Sequence, residues 1–332
     1  MLSKSLSTVS VVKTVYNGEK YLSEAIESIL SQTFTDIELL LVVHGSTDES
    51  AAISQALAER DNRIGFFQPS QNMGMAVARN RGIAAATGEF IAIMDCDDVS
   101  LPQRLEKQVA FLRSNPEIGA LGAAARAVNH DMSTHLYDFE SQQQHALTAL
   151  DTFLGYSFLR PTLLIQRESI TAVGGYEPGR RNCDGLELWS RLLRETRIRF
   201  ANLPECLVLY RRPDQSRLPF QSPGEQPVER ELKRGKLERF WNAAPEATMD
   251  RLYRLRLRKK LSRTERRAAE RDFKRPFDSM ITHGRVGPED KPVLFAAMNR
   301  RLEGASPRIW QQICHWRRHH FSRGEGLAFE SQ

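Results

Sequence analysis

GEFIAIMDCDDVSLPQRL, residues 88–105, opens on a glycine and runs through five apolar residues, Phe90 to Met94, into three crowded carboxylates at Asp95, Asp97 and Asp98. Pro102 then introduces a helical pattern. This order predicts a buried strand that ends in an acidic turn and hands over to a helix. In open α/β sheets ligands bind beyond the carboxyl ends of the strands, which makes the turn a candidate site. Carboxylates this close repel one another unless a cation or hydrogen-bond donors compensate. Hard oxygen ligands favour Mg2+ or Mn2+ over zinc. Two readings stand side by side here: a divalent-metal site, or an acidic turn in which Asp98 or Ser100 caps the next helix.

Toward the N-terminus the pattern alternates. Val9 to Val12 reads as a first strand, broken by Asn17 and Gly18. Leu22, Ile26, Ile29 and Leu30 follow at helical spacing. ELLLVV, residues 38–43, is a second strand, and HGSTDES leads into a helix near residues 51–57 with Ser46, Thr47 and Asp48 as cap candidates. A short strand at 63–67 and a helix carrying Val77 and Ile83 complete the approach to the acidic strand. Strand and helix in alternation predict a doubly wound, mostly parallel α/β sheet. No GxGxxG follows the first strand, which removes the main support for a dinucleotide-type oxidoreductase.

Composition sets the outer bounds. The chain has 332 residues, a formal charge of +6 and 41% apolar residues, enough for a sizeable core. Its four cysteines form no CxxC pair, which argues against a zinc knuckle or a disulfide framework and suits a reducing compartment. MLSKSLSTVSVVKTVYN lacks the apolar core and cleavage site of a signal peptide. No apolar run approaches the ~18 residues of a membrane span. The expected location is the cytoplasm or the cytoplasmic face of a membrane.

Several segments in order resemble one family. They are VSVVKTVYNGEKYL (9–22), ELLLVVHGSTD (38–48), NMGMAVARNRG (72–82), the DCDD turn (95–98), RLEKQVAFLRSNPEIG (104–119), RPTLLIQRESITAVGGY (160–176) and LELWSRL (186–192). Together they resemble the family-2 inverting glycosyltransferases of the GT-A fold, over roughly residues 9–216. The resemblance implies transfer of a sugar from a nucleotide-diphosphate sugar to an acceptor hydroxyl, with Mn2+ or Mg2+ as cofactor. It assigns Thr14 and Tyr16 to the nucleotide-base pocket, Asp97 to the ribose and Asp98 to the metal. Asp95 opens the same turn, and Arg79 lies in the segment beneath the nucleotide. A diphosphate leaving group gathers negative charge as the glycosidic bond breaks, and a bridging metal suits that need.

The chain also departs from the pattern. Where the family ends its second strand in two aspartates, Val43 and His44 stand here. Val43 cannot hydrogen-bond a base, whereas His44 can in either tautomer. The family's catalytic Glu-Asp pair falls on Asp184 and Gly185. Asp184 is the best remaining base candidate if Gly185 lets the loop adopt unusual angles, and Glu187 is second, as base, orienting or capping group. Asp184 reads equally as a helix N-cap. Pro213 stands where many relatives carry a metal-binding histidine.

Residues 1–216 therefore form the expected nucleotide-sugar-binding domain, 217–227 a Pro- and Gly-marked linker, and 228–332 a basic helical extension. The extension is either a solvated helical face or a surface for anionic lipid or an anionic acceptor. PRIWQQICHWRRHHF, residues 307–321, has the composition of an interfacial helix and also of one docked on the catalytic domain. Nucleic acid has only bulk charge in its favour. The expected partners are a nucleotide-diphosphate sugar, a saccharide or lipid-linked acceptor and, at the periphery, an anionic membrane. The altered positions 43, 44, 185 and 213 motivate a rival expectation, a degenerate protein that binds nucleotide sugars without turnover.

Overall fold

A computed structural model describes residues 7–69, 71–139, 158–179, 184–212 and 290–302, with isolated positions between 143 and 148 and between 262 and 287. Strand β1 (Val9–Val15) is buried along its whole length. Parallel neighbours flank it: β2 (Ile37–Val43) starts opposite Val9, and β4 (Phe90–Asp95) runs from Val9↔Phe90 to Thr14↔Asp95. β3 (Ile64–Phe67) adds a parallel edge beyond β2. Three helices connect them: α1 (Glu19–Leu30), α2 (Ser50–Arg60) and α3 (Met75–Ala85). The alternating order over the first hundred residues is thus the one expected from periodicity. β1 runs three residues further than its apolar run because Lys13 is fully buried and its Nζ donates to the carbonyl of Asp95 at 2.9 Å.

After the acidic turn the sheet becomes mixed. β5 (Val99–Ser100) and α4 (Arg104–Ser114) lead to β6 (Ile118–Val128) and β7 (His135–Phe139). A single 3-10 turn at Arg160–Thr162 precedes β8 (Leu164–Gln166), α5 (Arg167–Ala172), α6 (Asp184–Glu195) and β9 (Arg199–Arg211). The strand order is β3-β2-β1-β4-β8-β6-β9-β5, with β7 on β6. β8 is antiparallel to both β4 and β6, and β9 is parallel to β6.

Period-two alternation sends the strand side chains into two apolar layers. Val9, Val11 and Val15 pack with Leu22, Ile26 and Ile29 of α1 and Leu105, Val109 and Leu112 of α4. Val12, Ile91 and Ile93 pack on the other face with Ile83 of α3 and Leu188, Trp189 and Leu192 of α6. Helix α3 lies very close to β1 at Gly82, where a Cβ would stand 2.4 Å from Val12 Cγ1. α7 (Lys291–Leu302) contributes Leu294 and Ala297 to this second layer, joined by Ala269 and Val286. Part of the expected separate extension is therefore core. The segments 213–261 and 303–332, with the linker, Pro213 and the 307–321 stretch, lie outside the described residues. Among the described residues no helix is long and apolar enough to cross a membrane.

Candidate active site

β1 has β2 on one side and β4 on the other, so the order of the parallel strands reverses between β1 and β4. A crevice opens at such a point beyond the carboxyl ends. The residues that follow β1, β2 and β4 meet there.

One wall is aromatic. The Tyr16 and His44 rings stack with centroids 5.7 Å apart and planes 24° from parallel. Tyr16 is 46% exposed and His44 only 3%. His44 Nδ1 lies 3.2 Å from Asn72 Oδ1, and the same oxygen accepts the Gly74 N–H at 2.9 Å. A backbone N–H can only donate, so the Asn72 atom is the oxygen and Nδ1 must carry the proton. In the neutral ring Nε2 is then a bare acceptor, and it has no partner among the described residues. Burial pushes the His44 pKa below its ordinary value. Thr14 is buried beside this wall, and its hydroxyl donates to Met75 Sδ at 3.5 Å.

The acidic turn is the other wall, and its carboxylates have separate environments. Asp95 receives Arg160 at 2.8 Å and Arg79 at 3.3 Å. Burial alone would raise its pKa, but the two guanidiniums outweigh burial and hold it well below the usual carboxylate range. Asp97 is half-buried, and burial and then Asp95 raise its pKa. Among the described residues it has no ion-pair partner.

Asp98 is fully buried, and its Oδ1 accepts the Arg211 N–H at 2.8 Å. Its Oδ2 has no partner among the described residues. Burial, followed by Asp97 and Asp95, pushes its pKa well up. Asp98 thus ties the turn to β9 through one oxygen and leaves the other without a partner among the described residues, while Asp97 is partly exposed and outside the ion-pair network. Nor does the turn cap α4. The residue before that helix is Gln103, with no side-chain cap, and the Leu105 N–H is met by Gln32 Oε1 at 3.1 Å.

Arg211 holds the turn from behind. Its Nε donates to the Asp97 carbonyl at 2.8 Å, its guanidinium covers the Tyr21 ring at 4.2 Å, and it pairs with Glu24. Arg104 is buried beneath the same turn, and burial lowers its pKa to about 10. Burial likewise lowers Lys13 to about 8 against the opposing pull of the neighbouring acidic groups. Cys96 is pushed up to about 12 by burial and then by Asp97, so it packs as a thiol.

Asp184 opens α6 and is joined to the head of the acidic turn through two shared arginines. Its Oδ2 pairs with Arg79, and its Oδ1 accepts from Gly185 N–H at 2.9 Å and faces Arg160 Nη1 at 3.4 Å. Arg79, Arg160, Asp95 and Asp184 therefore form a closed ion-pair network. Gly185 is helical and has no positive φ, so no unusual loop angle places Asp184. Its position comes from the helix start and two arginines. Glu187 pairs with Arg191 one turn along α6, bonded to its Nε at 2.9 Å.

Asn80 secures the approach. Its amide donates to the Tyr176 carbonyl and accepts the Tyr176 N–H, each at 2.7 Å. Gly174 and Gly175 precede Tyr176 at φ +75° and +72°. Tyr176 in turn lies under Arg79, 5.3 Å from its ring centroid. Sequence reading missed Lys13, Arg160 and Arg211, because an arginine or lysine in a strand-like run carries no local mark of its partner. Only the RPT and YRR segments hinted at the two arginines.

The family model Glycosyl transferase family 2 matches residues 10–175. The O-antigen biosynthesis glycosyltransferase WbnJ of Escherichia coli is 32% identical over 213 residues, covering 64% of this chain and 82% of WbnJ. Glycosyltransferase GlyG of Streptococcus pneumoniae serotype 4 is 34% identical over 221 residues, 61% of this chain and 70% of GlyG. Among solved structures, S. aureus TarS 1-349 in complex with UDP-GlcNAc superposes with a TM-score of 0.58 at 18% identity, covering 97% of this chain and 94% of that one. The mannosyltransferase PcManGT from Pyrobaculum calidifontis, in complex with GDP-Man and Mn2+, gives 0.53 at 15% identity over 94% and 85%. At these identities the two structures speak for the fold alone.

Proposed function

The chain belongs to glycosyl transferase family 2, is a glycosyltransferase on a GT-A-type sheet, and on that premise we propose that it moves a sugar from a nucleotide-diphosphate donor to a saccharide or lipid-linked hydroxyl, inverting the anomeric carbon. One observation carries the reading: the acidic turn after β4 lies beside the Tyr16–His44 shelf at the point where strand order reverses. The nucleobase lies on the shelf with Thr14 at its edge, and the diphosphate lies over the turn. UDP-GlcNAc and GDP-Man in the structural neighbours support a nucleotide sugar as donor. The O-antigen role in WbnJ's name supports surface polysaccharide or glycolipid as product.

A divalent metal fits the donor chemistry. No cluster of three or more His, Cys, Asp or Glu forms a ready cage among the described residues. Mg2+ and Mn2+ sites of this kind are built from one or two carboxylates plus substrate phosphates. Asp97 would hold the ion, with Asp98 anchoring the turn from below and reaching it only through Oδ2. Bound there, the ion would neutralise charge on the departing diphosphate. Asp184 takes the acceptor proton, and Arg79 orients it.

Calorimetry with UDP and GDP, with and without Mn2+, tests the reading. Asp97→Ala should abolish the Mn2+ dependence of binding. Asp98→Asn, which still accepts the Arg211 N–H, should keep most of it. Unchanged metal dependence in Asp97→Ala would return the ligand role to Asp98.

A further inference from the structure

Asp184 poses a problem for any transfer that uses it as base. Each of its oxygens already faces a guanidinium, Oδ1 that of Arg160 and Oδ2 that of Arg79. With the Gly185 N–H also on Oδ1, three of the four acceptor positions are taken, and the side chain is only 9% exposed, so an incoming hydroxyl has little room. One of the arginines must let go. Arg79 is 1% exposed, rooted in α3 and stacked on Tyr176. Arg160 is 30% exposed, and its stronger bond, 2.8 Å, is to Asp95 at the head of the acidic turn. Its contact with Asp184 is longer, 3.4 Å. Of the four members, Arg160 is the most open to solvent, and of the two arginines it is the one a ligand can reach.

We propose that Arg160 is a donor-sensing positioning residue: a diphosphate arriving over the acidic turn draws its guanidinium off Asp184 and so frees the base only when donor is bound. This rests on the nucleotide-sugar reading above. A guanidinium presents a fork of donors that matches phosphate oxygens as well as carboxylate. Moving it from one acid to the other leaves Arg79 to hold Asp184 in place. In the transfer the acceptor oxygen bonds the anomeric carbon, and the bond from that carbon to the phosphate oxygen breaks with its electron pair passing to the diphosphate. The hydroxyl proton goes to the freed Asp184 oxygen.

Reciprocity makes the idea measurable without turnover. If Asp184 and the diphosphate compete for Arg160, removing the Asp184 charge must tighten diphosphate binding. Calorimetry of UDP and GDP at fixed Mn2+, with UMP and GMP as controls, would compare wild type, Asp184→Asn, Arg160→Gln and the double variant. Asp184→Asn should bind the diphosphate about 5-fold tighter or more, with the monophosphate little changed. Arg160→Gln should bind the diphosphate about 10-fold more weakly, and in its background Asp184→Asn should have no effect. Arg160→Lys, which keeps the charge and loses the fork, should recover part of the affinity and serves if Arg160→Gln does not fold. Tightening that persists without Arg160 would assign the competition to Arg79 and overturn the proposal, as would an unchanged or weakened affinity in Asp184→Asn. Failure of wild type to bind any nucleoside diphosphate would remove the nucleotide-sugar reading itself.

Discussion

His44 shows how one side chain can be fixed in chemical state by its neighbours. Gly74 orients Asn72, Asn72 takes the Nδ1 proton, and Nε2 is left as an acceptor. On the proposed shelf this acceptor is buried in the free protein, so a base must shift the ring to reach it, and a ring N–H, which uracil and guanine carry and cytosine does not, would then be its partner. UDP or GDP should therefore bind about 10-fold tighter than CDP, and His44→Ala should erase that preference in a calorimetric panel. Burial lowers the His44 pKa, so the folded state carries fewer protons there than the unfolded chain, whose histidine titrates near ~6.5. Stability then rises with pH through the window below about 6.5. Nucleotide affinity should be flat above that window and fall on acidification, as Nε2 turns from acceptor to donor. A preference for CDP, or an acid-insensitive affinity, would show that Nε2 does not read the base.

At the scale of elements, the site depends on how α3 is locked to the turn before α6. Asn80 satisfies both backbone groups of Tyr176, and Gly175 lets the chain pass with φ +72° where a Cβ would lie 2.4 Å from Asn80 Oδ1. Asn80→Ala strands two backbone groups and should cost about 2–3 kcal/mol in urea unfolding. Gly175→Ala adds a left-handed alanine, about 1–2 kcal/mol, together with the clash. Combined, the two should cost less than their sum, because removing the amide removes the clash. Strict additivity would mean that the two residues do not share this contact. The lock also sets Tyr176 under Arg79, so both variants should weaken nucleotide binding more than distant variants of equal instability.

Over the whole molecule, described residues of the C-terminal third belong to the core. Val286, Leu294 and Ala297 are buried in the layer that holds Trp189 and Phe200. Deleting residues 262–332 uncovers that layer and should lower Tm by about 10 °C or cause aggregation, since a buried leucine alone contributes about 2–5 kcal/mol. Deleting only 303–332 should leave Tm near wild type. If the basic excess serves an anionic membrane surface, full-length protein should co-sediment with anionic and not with neutral vesicles, and added salt should release it. The shorter deletion should then release it too. Binding that ignores lipid charge would point to docking of the tail on protein.

Local pattern by itself determined the parallel half of the sheet and the acidic turn, while the ordered motifs carried the resemblance to the family. Those signals are short in range: alternation along a strand, helical spacing, a glycine or a carboxylate run. Val9, the Leu22–Ile29 face and Asp95 to Asp98 could all be placed from their neighbours in sequence. Which of Asp97 and Asp98 is buried was not legible, because the two differ only in the side to which the turn sends them. Arg211, over a hundred residues away, holds Asp98 inward. Gly185 read locally as a loop hinge, yet tertiary packing made it the second residue of a helix whose start is fixed by Arg79 and Arg160. Charge pairing across the sheet has no sequence period, since it depends on distance in space and on shared burial. That is why the acids and Arg79 were found from sequence, and Arg160 and Arg211 only from the fold.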